Sequence, residues 1–126
     1  MQPETITPAA IAASVVFDER ILTEAASGSR TEARELVSMF FSLTDAAFRE
    51  MQEALQRGDL DVLRRLAHRA AGSAATCGLP RLMLSLRAVE QAPDQPGAAA
   101  ALQTAEPVYR EARSALVRFV RTEAIP

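Results

Sequence analysis

The chain has 126 residues, a hydrophobic fraction of 48% and a formal net charge of −2 at pH 7. This length suffices for one domain with a real core and is short for two. The charge gives no general attraction to nucleic acid or anionic lipid, so neither is an expected partner. No run reaches the roughly 18 apolar residues of a membrane span, and a basic signal-like start is missing. We therefore expect a cytoplasmic protein without membrane contact.

Apolar residues recur at spacings of three and four, and β-branched residues never run in alternation. These patterns predict an all-helical fold. We expect residues 1–16 to form an N-terminal arm with a short helical piece from Ala9 to Val16, and residues 17–126 to form the main domain. The single cysteine, Cys77, has no partner for an internal disulfide and is predicted to be a small packed hydrophobe.

Two helix starts follow the arm. Asp18 is placed to cap a short helix, and Ser29 with Glu32 has the spacing of a capping box before a long helix from about Arg30 to Arg57. The short helix should turn Ile21, Leu22, Ala25 and Ala26 inward. The long helix should turn inward Leu36, Val37, Phe40, Leu43, Ala47, Met51, Ala54 and Leu55, with Phe41 and Phe48 as further core residues or as an edge for docking.

Short connections join the remaining helices. Gly58-Asp59 ends the long helix and starts the next, which runs to Gly78, so the two helices should pack antiparallel. Leu79-Pro80 starts a helix that runs to about Gln91. A loop over residues 93–97 then leads into a last helix from about Gly97 to Arg121.

Pro107 lies in the middle of this last helix and predicts a kink or a break just before it. Four substantial helices with short links predict an up-down-up-down antiparallel four-helix bundle, capped by the N-terminal pieces.

His68 is the only histidine, and helix geometry predicts which way it points. At about 100° per residue, one arc of its helix is apolar and forms the buried stripe. This stripe comprises Leu63, Leu66, Ala67, Ala70, Ala74 and Cys77. His68 lies about 150° from its centre and faces water, with Arg65 and Gly72 beside it. Because glycine on an exposed helix face costs about 1 kcal/mol relative to alanine, the bare backbone at Gly72 indicates a close approach to the ring.

One histidine rules out most familiar catalytic sites. A zinc or iron site needs three or four converging ligands, and the sequence has neither a nucleophile elbow nor a glycine-rich phosphate loop. A lone imidazole near pH 7 is mostly neutral and keeps a free lone pair, so it can act as a nucleophile toward a phosphoryl group held by another protein.

The stretch Ala67-His68-Arg69-Ala70-Ala71-Gly72-Ser73-Ala74, followed by Gly78, resembles the signature of histidine phosphotransfer (HPt) domains, commonly A-H-x-L-K-G-S-A-x-x-x-G. The similarity covers roughly residues 17–120. It implies a four-helix bundle in a two-component phosphorelay. In such a bundle an exposed histidine, here His68, takes a phosphoryl group from the aspartate of one receiver domain and passes it to another.

The resemblance also implies partners and roles. We expect response-regulator receiver domains and a hybrid histidine kinase as partners, a monomeric phosphocarrier rather than an enzyme, and no cofactor of its own, with Mg²⁺ supplied by the receiver. Gly72 would admit the receiver backbone, and Ser73 would either donate a hydrogen bond nearby or bond to the local backbone. Glu90 would accept the second imidazole N–H or be a plain surface carboxylate.

Two positions depart from the signature. Ala70 stands at the usual leucine and Ala71 at the usual lysine, whose charge would assist phosphoryl transfer. Arg65 is the residue expected to substitute for the lysine, with Arg64 and Arg69 at its flanks, although these arginines could instead only solvate the helix face.

Two alternatives remain open at this level. One is a helical adaptor that binds receivers without transferring phosphate, which Ala71 favours. The other is the dimerisation and phosphoacceptor hairpin of a sensor kinase. Such hairpins usually carry an acid after the histidine, where this sequence has Arg69, and they need a dimer to complete four helices.

Overall fold

The computed structural model describes residues 6–123, which contain six helices and no strand. In chain order these are α1 (Pro8–Ala13), α2 (Glu19–Ala25), α3 (Arg30–Arg57), α4 (Leu60–Thr76), α5 (Pro80–Gln91) and α6 (Gln95–Glu123). The all-helical prediction is confirmed. Residues 1–5, the tip of the predicted arm, lie outside the described residues. None of the described helices is long and apolar enough to cross a lipid bilayer.

Side-chain caps begin three helices at the predicted residues. Asp18 accepts a hydrogen bond from the backbone of Arg20, Ser29 from that of Glu32, and Asp59 from that of Val62, at 3.1 to 3.2 Å. Gly58 adopts a left-handed φ of 71° at the end of α3. Each cap satisfies an N–H that the first helical turn leaves free, which fixes the helix start in sequence.

The four longer helices share one apolar core. α4 packs against α3 and α5, and α6 packs against α5 and α3, so that the contacts close a ring. The largest fully buried apolar side chains are Leu22, Met51, Leu63, Leu79, Leu82, Leu86, Leu102, Leu116 and Val89. Cys77 is 4% exposed, and burial raises the pKa of its thiol to about 11. It is therefore a packed thiol, as predicted.

Arg81 fastens the N-terminal segment to the bundle. Its guanidinium donates hydrogen bonds to the carbonyl oxygens of Ser14 and Ala12, at 3.0 and 2.9 Å, and pairs with Glu111 at 2.9 Å. Its backbone N–H also donates to the carbonyl of Val15. One side chain from α5 thus holds the last turn of α1, the segment after it and a carboxylate of α6, which explains why α1 packs against α5.

Aromatic residues of α3 pack toward α6. Tyr109 stacks on Phe48 with ring centroids 5.1 Å apart and donates a 2.6 Å hydrogen bond to Asp45. Burial and this hydrogen bond raise the pKa of Tyr109. The Arg113 guanidinium lies 4.3 Å from the centroid of Phe41, a cation–π contact. The phenylalanines at 41 and 48 therefore serve packing.

Three residues that the sequence predicts to be buried on α2 and α3 are exposed instead. Leu43 is 57% exposed and Ile21 is 37% exposed, and Ala25 is also exposed. On α3 the buried residue at this point is Thr44, next to Leu43 in sequence, and it is 1% exposed. Helix α3 meets both α4 and α6, so its buried face is set by two neighbours and is rotated from the single stripe that hydrophobicity predicts.

Of the kink or break predicted just before Pro107, the break is wrong, because α6 continues through this residue. Proline leaves the carbonyl four residues earlier, that of Gln103, without its helical hydrogen bond. Both Gln103 and Pro107 are exposed, so water can satisfy that carbonyl and the helix need not end. The helix also begins two residues before Gly97, whose backbone N–H bonds to the Asp94 side chain at 2.8 Å.

Gly78 joins α2 to the turn between α4 and α5. It has a left-handed φ of 75°, and its carbonyl accepts a 2.7 Å hydrogen bond from the backbone of Asp18. A Cβ added at Gly78 would lie 2.3 Å from the Asp18 carbonyl oxygen. Because the Cβ would meet a backbone oxygen and not the end of a flexible side chain, the contact cannot easily relax, and this position requires glycine.

We expect Gly78→Ala to lower the free energy of unfolding much more than Gly28→Ala. Gly28 has the same φ of 75° but no atom within 4 Å of an added Cβ. The Gly28 variant therefore measures left-handed strain alone, about 1 kcal/mol, and Gly78→Ala should exceed it by about 2 kcal/mol or more. Urea denaturation followed by circular dichroism measures both; equal losses would contradict the Asp18 contact as the cause.

Candidate functional site

The His68 side chain leaves the bundle on the outer face of α4. It is 74% exposed, whereas Ala67 and Ala70 on either side of it in sequence are buried. This is the orientation that the helical wheel predicts. The imidazole is therefore open to another macromolecule while its backbone is held by a helix packed on two sides.

Helix α5 brings Glu90 to the ring. The distance from His68 Nδ1 to Glu90 Oε2 is 2.8 Å, and the Glu90 side chain is 30% exposed. An ionised carboxylate only accepts hydrogen bonds, so Nδ1 must carry the hydrogen and donate it. Nε2 then keeps the lone pair, and it has no hydrogen-bond partner within residues 6–123. The contact selects the tautomer in which the free nitrogen is the nucleophile.

Three arginines surround this pair. Arg64, Arg65 and Arg69 line a shallow depression of about 390 Å³ together with His68 and Glu90. Arg64 donates a 3.0 Å hydrogen bond to the carbonyl of Ala92, at the end of α5. Arg65 and Arg69 are exposed, and their guanidinium groups have no hydrogen bond or ion pair with any residue that the structure describes. Two cations are thus available beside the ring, and the third ties α4 to α5.

Gly72 and Ser73 follow one turn after the histidine. Gly72 is exposed, and a Cβ placed there would meet no atom within 4 Å. Packing therefore does not require glycine, and the backbone is accessible from outside. The Ser73 hydroxyl lies 3.4 Å from the carbonyl of Arg69, the local backbone bond that the sequence left open as one alternative.

Ala71 is 3% exposed and belongs to the core. The buried stripe predicted from the sequence does not include Ala71, because it covers a single face of the helix. In the structure α4 packs against both α3 and α5, so a wider face is buried. No cation stands at this position, so positive charge near His68 comes from the arginines of the depression, of which Arg65 and Arg69 are not bonded to α5. Within residues 6–123 no cluster of three metal-ligating side chains exists.

The family model of the Hpt domain matches residues 35–119, which include all of α4 and α5. The chain belongs to the Hpt family. Hpt domains are phosphocarrier modules in two-component signalling and interact with receiver domains and kinases. Neither the curated proteins nor the solved structures gave a match.

Sequence reasoning missed two features of this Hpt domain. The sequence predicts only a flanking charge at Arg64, yet Arg64 caps α5 by bonding to Ala92, a contact between residues 28 apart that no local pattern signals. A groove between α3 and α4 that includes the exposed Leu43 was missed because Leu43 was placed in the core.

We expect Glu90→Ala to change the tautomer of His68. Without the carboxylate, Nδ1–H loses its acceptor, so the population with hydrogen on Nε2 should rise. The imidazole ¹⁵N chemical shifts report which nitrogen carries the hydrogen. Gln91→Ala, at the neighbouring exposed position of α5, is the matched control and should leave the shifts as in the wild type. Identical spectra for both variants would show that Glu90 does not hold the ring.

Proposed function

We propose that this Hpt domain carries a phosphoryl group on His68 between the aspartates of response-regulator receiver domains in a phosphorelay. The observation that carries the proposal is the His68 ring, exposed on one side and hydrogen-bonded through Nδ1 to Glu90 on the other. An inert surface histidine needs no such partner, whereas a nucleophile needs one nitrogen protonated and the other free.

The transfer step uses the free nitrogen. Nε2 attacks the phosphorus of a receiver's aspartyl phosphate in line with the departing oxygen; the N–P bond forms, the O–P bond breaks, and the aspartate leaves as a carboxylate. The hydrogen stays on Nδ1, so the phosphorylated ring is cationic and the Glu90 carboxylate stabilises it. Transfer to a second receiver reverses these bonds.

Arg65 and Arg69 supply charge to the step. Their guanidinium groups can approach the phosphoryl oxygens from the His68 side and act as the missing lysine at Ala71 would. The receiver provides Mg²⁺, and this chain contributes no metal or cofactor. A hybrid histidine kinase provides the first phosphoryl group.

The arrangement of the helices bears on the oligomeric state. We infer that α3 to α6 run up-down-up-down, because only two residues separate α3 from α4 and the neighbouring helices pack in sequence order. One chain thereby supplies four packed helices and needs no second copy, so it acts as a monomer, unlike a sensor-kinase hairpin. Sedimentation velocity tests this assignment.

Phosphoryl transfer gives the direct test. Incubated with a phosphorylated receiver domain and Mg²⁺, the wild type should gain label that is lost in acid, as expected of phosphohistidine, and His68→Gln should gain none. Arg87→Gln, an exposed arginine of α5 outside the depression, is the control and should be labelled like the wild type.

Two results would overturn the proposal. Label on His68→Gln, or label that survives acid, would show a different acceptor. If no receiver from the same genome gives label, the adaptor hypothesis is favoured, in which the protein binds receivers without transferring phosphate. The specific observation that favours the adaptor is the buried Ala71 at the usual lysine position.

Substitutions at Gly72 should affect the stability of the protein and its docking to a receiver in different ways. We expect Gly72→Ala to raise the free energy of unfolding by up to about 1 kcal/mol, because alanine favours helix and meets no atom within 4 Å. Gly72→Gln should slow phosphoryl transfer about tenfold or more, because a long side chain stands where the receiver backbone approaches. Urea denaturation and the transfer assay measure the two effects; a Gly72→Gln variant with the wild-type rate would contradict close approach at this position.

A further inference from the structure

A second concavity lies on the other side of α4 from Glu90. This α3–α4 groove has a volume of about 160 Å³ and is lined by Leu43, Thr44, Ala47, Leu66, Arg69 and Ala70, among others. A cavity of roughly 150 Å³ with apolar walls holds a molecule the size of benzene. The groove is therefore large enough for one aliphatic side chain.

The groove owes its room to Ala70. This residue is 5% exposed and stands where the HPt signature has leucine, whose longer side chain would occupy part of the space. Leu43 forms the rim and is 57% exposed, and Met39, one turn earlier on α3, is 60% exposed. Two large apolar side chains next to an apolar concavity form a patch of the kind that partner proteins cover.

Arg69 links the groove to the phosphoacceptor. It lines both the α3–α4 groove and the depression that holds His68 and Glu90. A partner that reaches the His68 ring must pass over Arg69 or beside it, and the surface continues from there to Leu43. The two concavities therefore belong to one contact surface.

We propose that the α3–α4 groove is a specificity pocket that takes one leucine- or methionine-sized side chain from a surface helix of the cognate receiver. The inference rests on the proposed function, because the partner is the receiver that exchanges phosphate with His68. A helix with its apolar face in a groove is a common docking mode, and a filled pocket near the centre of an interface contributes most to affinity. Receivers with a smaller side chain there leave the groove empty and dock weakly.

The test measures docking apart from labelling. His68 is first phosphorylated with phosphoramidate, a small phosphoryl donor that needs no docking surface. The labelled protein is then mixed with individually purified receiver domains from the same genome and Mg²⁺. The second-order rate constant for loss of label to the fastest receiver is compared between the wild type and its variants.

Two variants change the groove. Ala70→Leu fills it from within, and Leu43→Ser removes its rim at an exposed position, so folding does not depend on the change. Each should lower the rate constant about tenfold or more. Val15→Ser is the matched control because Val15 is also 57% exposed but lines a different surface, between the N-terminal segment and α6. It should retain the wild-type rate constant.

The outcomes separate the two proposals. If the wild type transfers its label and both groove variants transfer equally fast, the specificity pocket is refuted and the phosphotransfer function stands. If the wild type transfers to no receiver, both proposals fail. If the wild type sediments as a dimer that Leu43→Ser dissociates, the occupant is a second copy of the chain, which also overturns the inference.

Discussion

The hydrogen bond between His68 Nδ1 and Glu90 is the contact on which the candidate site depends. At 2.8 Å it joins two helices, and it fixes the orientation of a ring that is otherwise 74% exposed. The bond forms because α4 and α5 pack closely after a short turn, whose Gly78 carbonyl also holds α2. Arg64 reinforces the same pair of helices by bonding to Ala92. The bundle thus positions an imidazole that no core contact holds.

Reactivity and stability place opposite demands on this face of α4. Gly72 lowers helix stability and leaves the backbone open, and the guanidinium groups of Arg65 and Arg69 have no partner among residues 6–123. Neither arrangement helps the isolated protein fold. Both suit a surface that receives a partner bearing a phosphoryl group, because they supply space and positive charge without requiring side chains to be displaced first.

Local signals predicted most of the fold and the orientation of the site. The caps at Asp18, Ser29 and Asp59 act within three residues of themselves, and the wheel that placed His68 outside needs only helix geometry. What failed depends on the surroundings of each residue in the packed bundle, which a local pattern does not contain. Leu43 looks inward by periodicity, but α3 packs against two helices, and Pro107 is tolerated because Gln103 faces water.

The two alanines that depart from the family signature have different consequences in the structure. Ala71 is packed in the core, so the charge of the usual lysine is simply missing and nearby arginines are the available cations. Ala70 faces the α3–α4 groove, so the missing leucine leaves a concavity. In the proposed transfer, the first change affects every receiver equally, because it alters the charge at the reacting group. As the proposed specificity pocket, the second distinguishes one receiver from another, because only a partner with a side chain of matching size gains from the space. Under the two proposals, selectivity for a partner can therefore change at Ala70 while the chemistry at His68 stays the same.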